Sequence, residues 1–487
     1  VRGWCGGMNA ACLHWESAAV IPATGGRAVG DAWMAHGVAI DSRQVRAGDL
    51  FVALRGDRFD GHDFLTVAAQ KGAVAALVEV APAALPAGFP VVVVDNSLTA
   101  LNQLAAAARR RLTGPVIAVT GSVGKTGSKE SLARALATFG SCHVNQGNLN
   151  NHIGAPLSLA RAPAASDFCV LEMGMNHAGE ISPLSRLAQP QVALITNVEP
   201  VHIGHFRDIT AIADAKCEIF DGVMPGGVAI LNRDNAMFDY CAAAAKRVGI
   251  ERIISFGRDV HADVRLLECE AGIDGSHVRA HVIDQEARYH LRAIGCHWVL
   301  NSLGVLAAVA ALGLDPAVAA AAMEQVTAGR GRGGQVDMPA ADGGHYRLID
   351  ESYNASPPAV RAALSVLAMT PTGPGGRRIA VLGDMLELGA HSADLHADLA
   401  PDLFASGADM LFTAGPDMAQ LRAHLATPLT GVHGAGAADI AAAVAAEVRA
   451  GDVVLVKGSL GMGMSAIIKA LNDAAPVAAA TAGGRGA

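Results

Sequence analysis

Val116-Ile-Ala-Val-Thr-Gly-Ser-Val-Gly-Lys-Thr126 is an apolar strand that runs straight into a glycine-rich turn, and a helix-compatible run, Lys129-Glu-Ser-Leu-Ala-Arg-Ala-Leu136, follows it. A chain of phosphates needs this arrangement. Small residues let backbone N–H groups close on the oxygens, and the helix N-terminus adds the positive end of its dipole. Lys125 supplies a point charge for β- and γ-phosphates, and the Thr126 hydroxyl can ligate Mg²⁺. The common spacing G-x-x-x-x-G-K-[ST] wants glycine at 119, where Val119 stands; Gly121 comes three residues before Gly124 instead. The segment from Thr120 through Gly121, Ser122, Val123 and Gly124 to Lys125 and Thr126 therefore reads as a variant phosphate-binding loop.

Outward from this loop, strand-like runs alternate with Ala-rich helical stretches, which is the α/β pattern. Leu50–Leu54, Ala75–Val78 and Val91–Val94 read as strands before it, with a helix from Leu98 to Leu112. After it, Phe168–Glu172, Val192–Thr196, Val228–Leu231 and Ile253–Phe256 are continuous apolar runs, as expected for parallel strands buried on both faces. The alternating segments His277–Val282 and Arg288–Arg292 predict an antiparallel appendage, and a helix follows from about Trp298 to Leu312. Gly329-Arg-Gly-Arg-Gly-Gly334 marks a boundary and a candidate hinge. Beyond it, Leu348–Asp350, Ile379–Leu382, Met410–Thr413 and Val453–Lys457 build a further α/β unit, with a helix expected between Ala435 and Ala450. The expected organisation is three α/β domains, 1–113, 114–333 (P-loop, mostly parallel sheet) and 334–475 (Rossmann-like), with a disordered tail at 476–487. Residues 1–7 read as an upstream-start artefact, since Met8 lies close behind Val1.

A chain of 487 residues is too long for one core. Its 37 basic and 45 acidic side chains give a net charge of −8, which argues against a general nucleic-acid or anionic-membrane binder. The eight cysteines form no C-x-x-C pair, and several lie in apolar runs. They read as thiols of a reducing compartment. No apolar stretch approaches a membrane span and no signal peptide is evident, so the expected setting is the cytoplasm.

Polar residues at the ends of buried strands are candidates for chemistry, because α/β sheets bind ligands there. Glu172 ends one strand; Asn197 ends the next, and His202 follows it. Lys216 lies on the expected helix Ile209–Phe220. Taken singly, each has a bland reading: a strand-end carboxylate, a loop histidine, a surface lysine.

In this order after Gly-Lys-Thr, they resemble the Mur ligase family, the ATP-dependent amide-bond enzymes of bacterial cell-wall synthesis. The family's T-G-[TS]-x-G-K-T is matched by Thr120–Thr126. Asn145-Gln-Gly-Asn-Leu-Asn-Asn-His-Ile-Gly-Ala-Pro156 and Asp350-Glu-Ser-Tyr-Asn-Ala-Ser-Pro357 resemble blocks of the branch that adds a dipeptide. Gly383-Asp-Met-Leu-Glu-Leu-Gly389 and Lys457-Gly-Ser459 resemble two more. The segment from Asp41 to Gly56, followed by Asp60-Gly-His62, is similar to the family's UDP-sugar-holding domain. No Asp-Asn-Pro-Arg block of the diaminopimelate-adding branch is present. Folylpolyglutamate synthase, which shares the ATP domain, usually lacks such an N-terminal domain.

The resemblance implies ATP-dependent joining of D-alanyl-D-alanine to UDP-N-acetylmuramoyl-tripeptide, by a chain expected to be monomeric. It implies two Mg²⁺ ions: one at Thr126 and Glu172, a second at His202 and a CO₂-derived carbamate on Lys216. Lys125, Glu172, His202 and Lys216 would be the catalytic set. Asn301 (with the 297–301 segment), Arg330 and Asp350 would serve the nucleotide. Ser42, Arg43, Asn148, Asn150, Asn151, Tyr353, Asn354 and Lys457 would face the other substrates. Three residues depart from the family pattern: Gly127 in place of Thr or Ser, Ser356 in place of Asn, and Leu460 in place of Arg.

Overall fold

The computed structural model describes residues 14–81, 88–272, 274–329 and 331–475. The expectations for Arg330, for the chain start and for the tail at 476–487 lie outside the described residues.

Three larger sheets succeed one another along the chain, and a two-stranded pair, Trp15–Glu16 with Met34–Ala35, flanks the first. The N-terminal sheet has five strands. Gly37–Ala39, Asp49–Val52, Ala75–Val78 and Val91–Val93 are mutually parallel, and Arg27–Val29 closes the edge antiparallel. The helix Ser97–Arg111 packs on this sheet; Asn96 caps it by accepting from the Thr99 N–H.

The central sheet has nine strands. From one edge they run Cys142–Val144, Phe168–Glu172, Val116–Thr120, Val192–Ile195, Val228–Asn232 and Arg252–Gly257, all parallel. Val264–Gly272 joins in parallel over a short ladder, and Gly275–Val282 and Gln285–Leu291 extend it as the antiparallel appendage. Side chains alternate between faces. Ile117 and Val119 enter one core with Leu132 and Leu303, while Val116 and Ala118 enter the opposite core with Ile212 and Phe220. Both faces are apolar, so the strand reads as an unbroken hydrophobic run. Val116–Thr120 lies between Phe168–Glu172 and Val192–Ile195. The chain therefore leaves to either side of it, and a crevice opens beyond the carboxyl ends.

The C-terminal sheet runs Gly334–Pro339, His345–Glu351, Val453–Lys457, Arg378–Gly383, Met410–Ala414 and His433–Gly434, with only the first strand antiparallel. Two differences from the sequence reading have local causes. Gly334–Pro339 is a strand the sequence did not announce; its Gly, Asp and Pro are poor strand formers, and the ladder to His345–Glu351 overrides them. The helix expected over 209–220 is α-helical only through Cys217, then tightens to a 3₁₀ turn at Glu218–Gly222. There the Glu218 carboxylate accepts N–H groups of Gly179, Ile181 and Ser182, which draws the turn onto the start of the helix Ile181–Ala188. No helix among the described residues is long and apolar enough to cross a membrane.

Candidate active site

A cavity of about 660 Å³ lies between the carboxyl ends of the central sheet and the C-terminal domain. Ser122 to Thr126, Asn148, Asn150, Glu172, His202, His297 and Asn301 line one side; Tyr353, Asn354 and Lys457 line the other.

The glycine-rich turn has the shape that phosphate binding requires. Gly124, at φ 85°, opens the helix Lys125–Leu136; a Cβ there would meet the Asn301 amide at 2.7 Å. A Cβ on Gly121 would lie 1.9 Å from the Thr196 hydroxyl oxygen. Val119 explains the variant spacing: it is still within the strand, fully buried and facing the core, so no glycine is needed there. The 196–199 loop fixes the turn. Asn197 accepts from the Ser122 N–H at its carbonyl and from the Val123 N–H at its side chain, each at 3.0 Å. The Lys125 ammonium donates back to the Gly121 and Ser122 carbonyls at 2.6 and 3.2 Å. Burial pulls its pKa below the ordinary lysine value, against the opposing charge of Glu172.

Glu172 is buried at the end of its strand within a dense polar frame. Asn145 accepts the Glu172 N–H at 2.9 Å and donates to the Leu149 carbonyl at 2.9 Å. Lys129, one helical turn after Lys125, donates to the carbonyls of Asn145 and Gly147 at 2.9 and 3.1 Å. Asn150 donates to Glu172 Oε1 at 2.7 Å. Glu172 Oε2 is buried with no hydrogen-bond partner, and the Lys129 ammonium stands 3.8 Å from it. A buried carboxylate oxygen in that condition suits a cation.

Lys216 is 3% exposed, and its ammonium has no hydrogen-bond or ion-pair partner among the described residues. Burial, reinforced by Lys125, drives its pKa well below the ordinary lysine value. His202 has a left-handed backbone (φ 59°) and its Nδ1 meets the Glu387 carboxylate of the C-terminal domain. Burial lowers the His202 pKa; Glu387 opposes that shift, and Lys125 and Lys216 add to it. A neutral imidazole is the form that ligates metals.

Other residues singled out from sequence lie apart from the cavity. Thr120 is buried and donates to the Met173 carbonyl at 2.8 Å. Asn151, just ahead of the helix Gly154–Ala160, accepts the Gly154 N–H at 2.9 Å. Asp350 holds the candidate hinge: its side chain accepts the Gly331 N–H at 3.1 Å and its carbonyl the Gly333 N–H at 2.8 Å. Residues 331–334 are thereby tied to the C-terminal sheet. Ser42 is buried in the N-terminal domain, and Arg43 is exposed there and paired with Asp41.

The sequence reading passed over Arg332, which lines the cavity and lies 4.1 Å over the Tyr353 ring. It also missed Glu351, which accepts from Lys457 at 3.0 Å and so fixes that ammonium together with the Asn354 carbonyl. The Arg-Gly-Arg repeat offered two arginines, and the sequence alone does not rank them. The departures fare differently. A Cβ on Gly127 would lie 2.9 Å from the Trp298 indole, so the ring occupies the space that a larger residue would take. Ser356 is buried ahead of the helix Pro357–Met369, and Leu460 is 62% exposed at the cavity rim.

A phosphate-binding loop on a parallel sheet, facing a second α/β domain across a polar cavity, describes a nucleotide-dependent ligase, and the chain belongs to the Mur ligase family. Models of the Mur ligase family catalytic domain, the Mur ligase middle domain and the Mur ligase glutamate ligase domain match residues 34–111, 119–309 and 339–460. The chain is 34% identical to the UDP-N-acetylmuramoyl-tripeptide–D-alanyl-D-alanine ligase of Bacillus subtilis, over 90% of this chain and 93% of that one. It is similar to the crystal structure of MurF from Acinetobacter baumannii, with a TM-score of 0.83 and 30% identity, covering 95% of this chain and 99% of that one. It also resembles MurF ligase from Thermotoga maritima in complex with ADP, with a TM-score of 0.74 and 26% identity, covering 90% of this chain and 97% of that one.

Proposed function

We propose that the chain joins D-alanyl-D-alanine to UDP-N-acetylmuramoyl-tripeptide with ATP, giving the UDP-linked pentapeptide, ADP and phosphate for peptidoglycan synthesis. The observation that carries this reading is the facing of two walls across one cavity: the phosphate-binding loop with Glu172 and His202, and Tyr353, Asn354 and Lys457 opposite. The acceptor follows the Bacillus subtilis relative, a D-alanyl-D-alanine ligase. The nucleotide agrees with the ADP complex of the Thermotoga protein. ATP as co-substrate fits a cytoplasmic setting.

The reaction runs in two steps. The tripeptide's terminal carboxylate attacks the γ-phosphorus, forming an acyl phosphate and releasing ADP. The amine of D-alanyl-D-alanine then attacks the acyl carbon, and phosphate leaves. Such phosphoryl transfer depends on positioning and charge neutralisation more than on covalent chemistry by the protein. Lys125 exchanges its loop carbonyls for phosphate oxygens. Thr126 and Glu172 would hold one Mg²⁺, for which Glu172 Oε2, buried without a hydrogen bond and 3.8 Å from the Lys129 ammonium, is suited. His202 and a carbamate on Lys216 would hold the second. Bound there, Mg²⁺ neutralises the transferring phosphoryl oxygens. An unpaired, desolvated amine loses its proton readily, and only the neutral amine captures CO₂. The acyl phosphate hydrolyses if wet, so the C-terminal domain has to exclude water while Lys457 comes to the reacting groups.

The test is phosphate release from Mg-ATP with UDP-MurNAc-tripeptide and D-Ala-D-Ala, against UDP-MurNAc-dipeptide with diaminopimelate or L-lysine. Turnover with the dipeptide acceptor alone is the expected result. Turnover only with a single amino acid would move the chain to the preceding step.

A further inference from the structure

The C-terminal domain touches the opposite wall at His202, through Glu387, a residue without a role in the reaction chemistry above. Glu387 follows the strand Arg378–Gly383 and sets a carboxylate oxygen against His202 Nδ1. The contact is part of a close backbone junction. The Gly204 N–H donates to the Glu387 carbonyl at 3.0 Å. A Cβ on Gly204 would lie 2.7 Å from the Gly389 nitrogen, and one on Gly389 would lie 2.8 Å from the Gly204 Cα. The turns Ile203–His205 and Gly389–His391 can approach this closely only because both positions are glycine. His202 and Glu387 both adopt left-handed backbones, at φ 59° and 65°, which non-glycine residues otherwise avoid.

The loop behind Glu387 is fixed. The Met385 N–H donates to Nε2 of the fully buried His396 at 2.9 Å, and His396 Nδ1 bonds the Ser392 carbonyl at 2.7 Å. The Leu386 N–H donates to Ser459 Oγ at 2.9 Å. Glu387 is therefore presented by a rigid element, as a group that orients another side chain must be.

We infer that Glu387 is a positioning residue for His202, supplied across the domain boundary; this rests on the reading of His202 as a metal ligand. An ionised carboxylate only accepts hydrogen bonds. His202 Nδ1 must then carry the proton, and Nε2 keeps its lone pair on a ring that lines the cavity. A carboxylate behind the imidazole is the arrangement that fixes the tautomer and raises the basicity of a ligating histidine. Here that carboxylate belongs to the other domain. The His202 site is thus complete only when the C-terminal domain is seated, and cation affinity is coupled to domain seating.

The test uses the full chain, with histidine ¹⁵N NMR of the metal-free protein and His202→Gln to assign the signal. The wild type is expected to show the Nδ1–H tautomer at His202. Glu387→Ala should shift it towards Nε2–H, and Glu387→Gln, whose amide oxygen still accepts, should restore Nδ1–H. Mn²⁺ binding with a non-hydrolysable ATP analogue, followed by electron paramagnetic resonance, should weaken about 10-fold in Glu387→Ala, the scale of an orienting partner's loss. An unchanged tautomer in Glu387→Ala overturns the inference. So does Mn²⁺ affinity that responds to His202→Gln but not to Glu387→Ala. Affinity indifferent to His202→Gln overturns the ligand reading itself, and the inference with it.

Discussion

Lys129 and Lys216 are both buried, 1% and 3% exposed, and neither lines the cavity, yet they are in opposite conditions. Lys129 has two backbone carbonyls within 3.1 Å and the Glu172 carboxylate at 3.8 Å. Lys216 has no such partner among the described residues, and like charge from Lys125 adds to its desolvation. A buried cation with partners is part of the frame; a buried amine without them is driven neutral and becomes a nucleophile. Equal burial therefore says little about role. Partners decide it.

The sharpest way to break this contrast is to remove each lysine in turn. Lys216→Ala is expected to cut phosphate release by on the order of 10³-fold or more, the scale on which a charge-neutralising group contributes to phosphoryl transfer. Partial rescue by short carboxylates would identify the lost group as a carbamate. Full activity of the variant would return Lys216 to the structural class.

Stability should show the reverse order. Lys129→Ala leaves Glu172 uncompensated, and urea unfolding should register a loss of about 3–5 kcal/mol, the cost of breaking one side of a buried pair. Lys216→Met should cost less than about 1 kcal/mol, because volume is kept and an unpartnered polar group is removed. Equal losses from the two substitutions would refute the contrast.

pH gives a third, smaller discriminator. The folded pKa of Lys216 is depressed, so between that value and the ordinary one near 10.4 the unfolded chain holds a proton that the folded chain lacks. Stability then rises with pH across that window and levels off on either side. In CO₂-free buffer the rise should be smaller in Lys216→Met than in the wild type, because Lys125, whose pKa is also lowered, keeps its own share. The least effect is expected at Leu460: exposed as it is, Leu460→Arg should change unfolding free energy by no more than about 0.5 kcal/mol. Any gain should appear in the KM for the acceptor.

Much of this contrast was hidden in the sequence for a definable reason. Lys125, Glu172 and His202 were legible because each follows a buried strand or closes a glycine-rich turn, and the cavity brings all three together. Lys129 looked like an ordinary helix lysine, since its carbonyl partners belong to the 145–147 loop. Gly127 is a bare departure from the family pattern in the sequence; the fold explains it, because Trp298 from a helix remote along the chain occupies the space. Asp350 is expected from the resemblance to serve the nucleotide, and its carboxylate accepts the Gly331 N–H, a contact that sequence order does not show. Arg332 and Glu387 stand in loops whose direction no periodicity encodes, and Glu351 ends a strand beside Asp350, where the pattern does not say which of the two carboxylates faces the cavity.

The sequence by itself determined the parallel central sheet, its antiparallel extension and the strand–turn–helix at 116–136. These follow from side-chain alternation and from glycine at tight turns, both of which act between near neighbours. Only the tertiary structure decided which buried lysine is paired, which Glu172 oxygen lacks a hydrogen bond and which domain supplies the carboxylate behind His202. Those outcomes depend on distances between residues remote along the chain, and charge, desolvation and hydrogen bonding respond to distance rather than to sequence order.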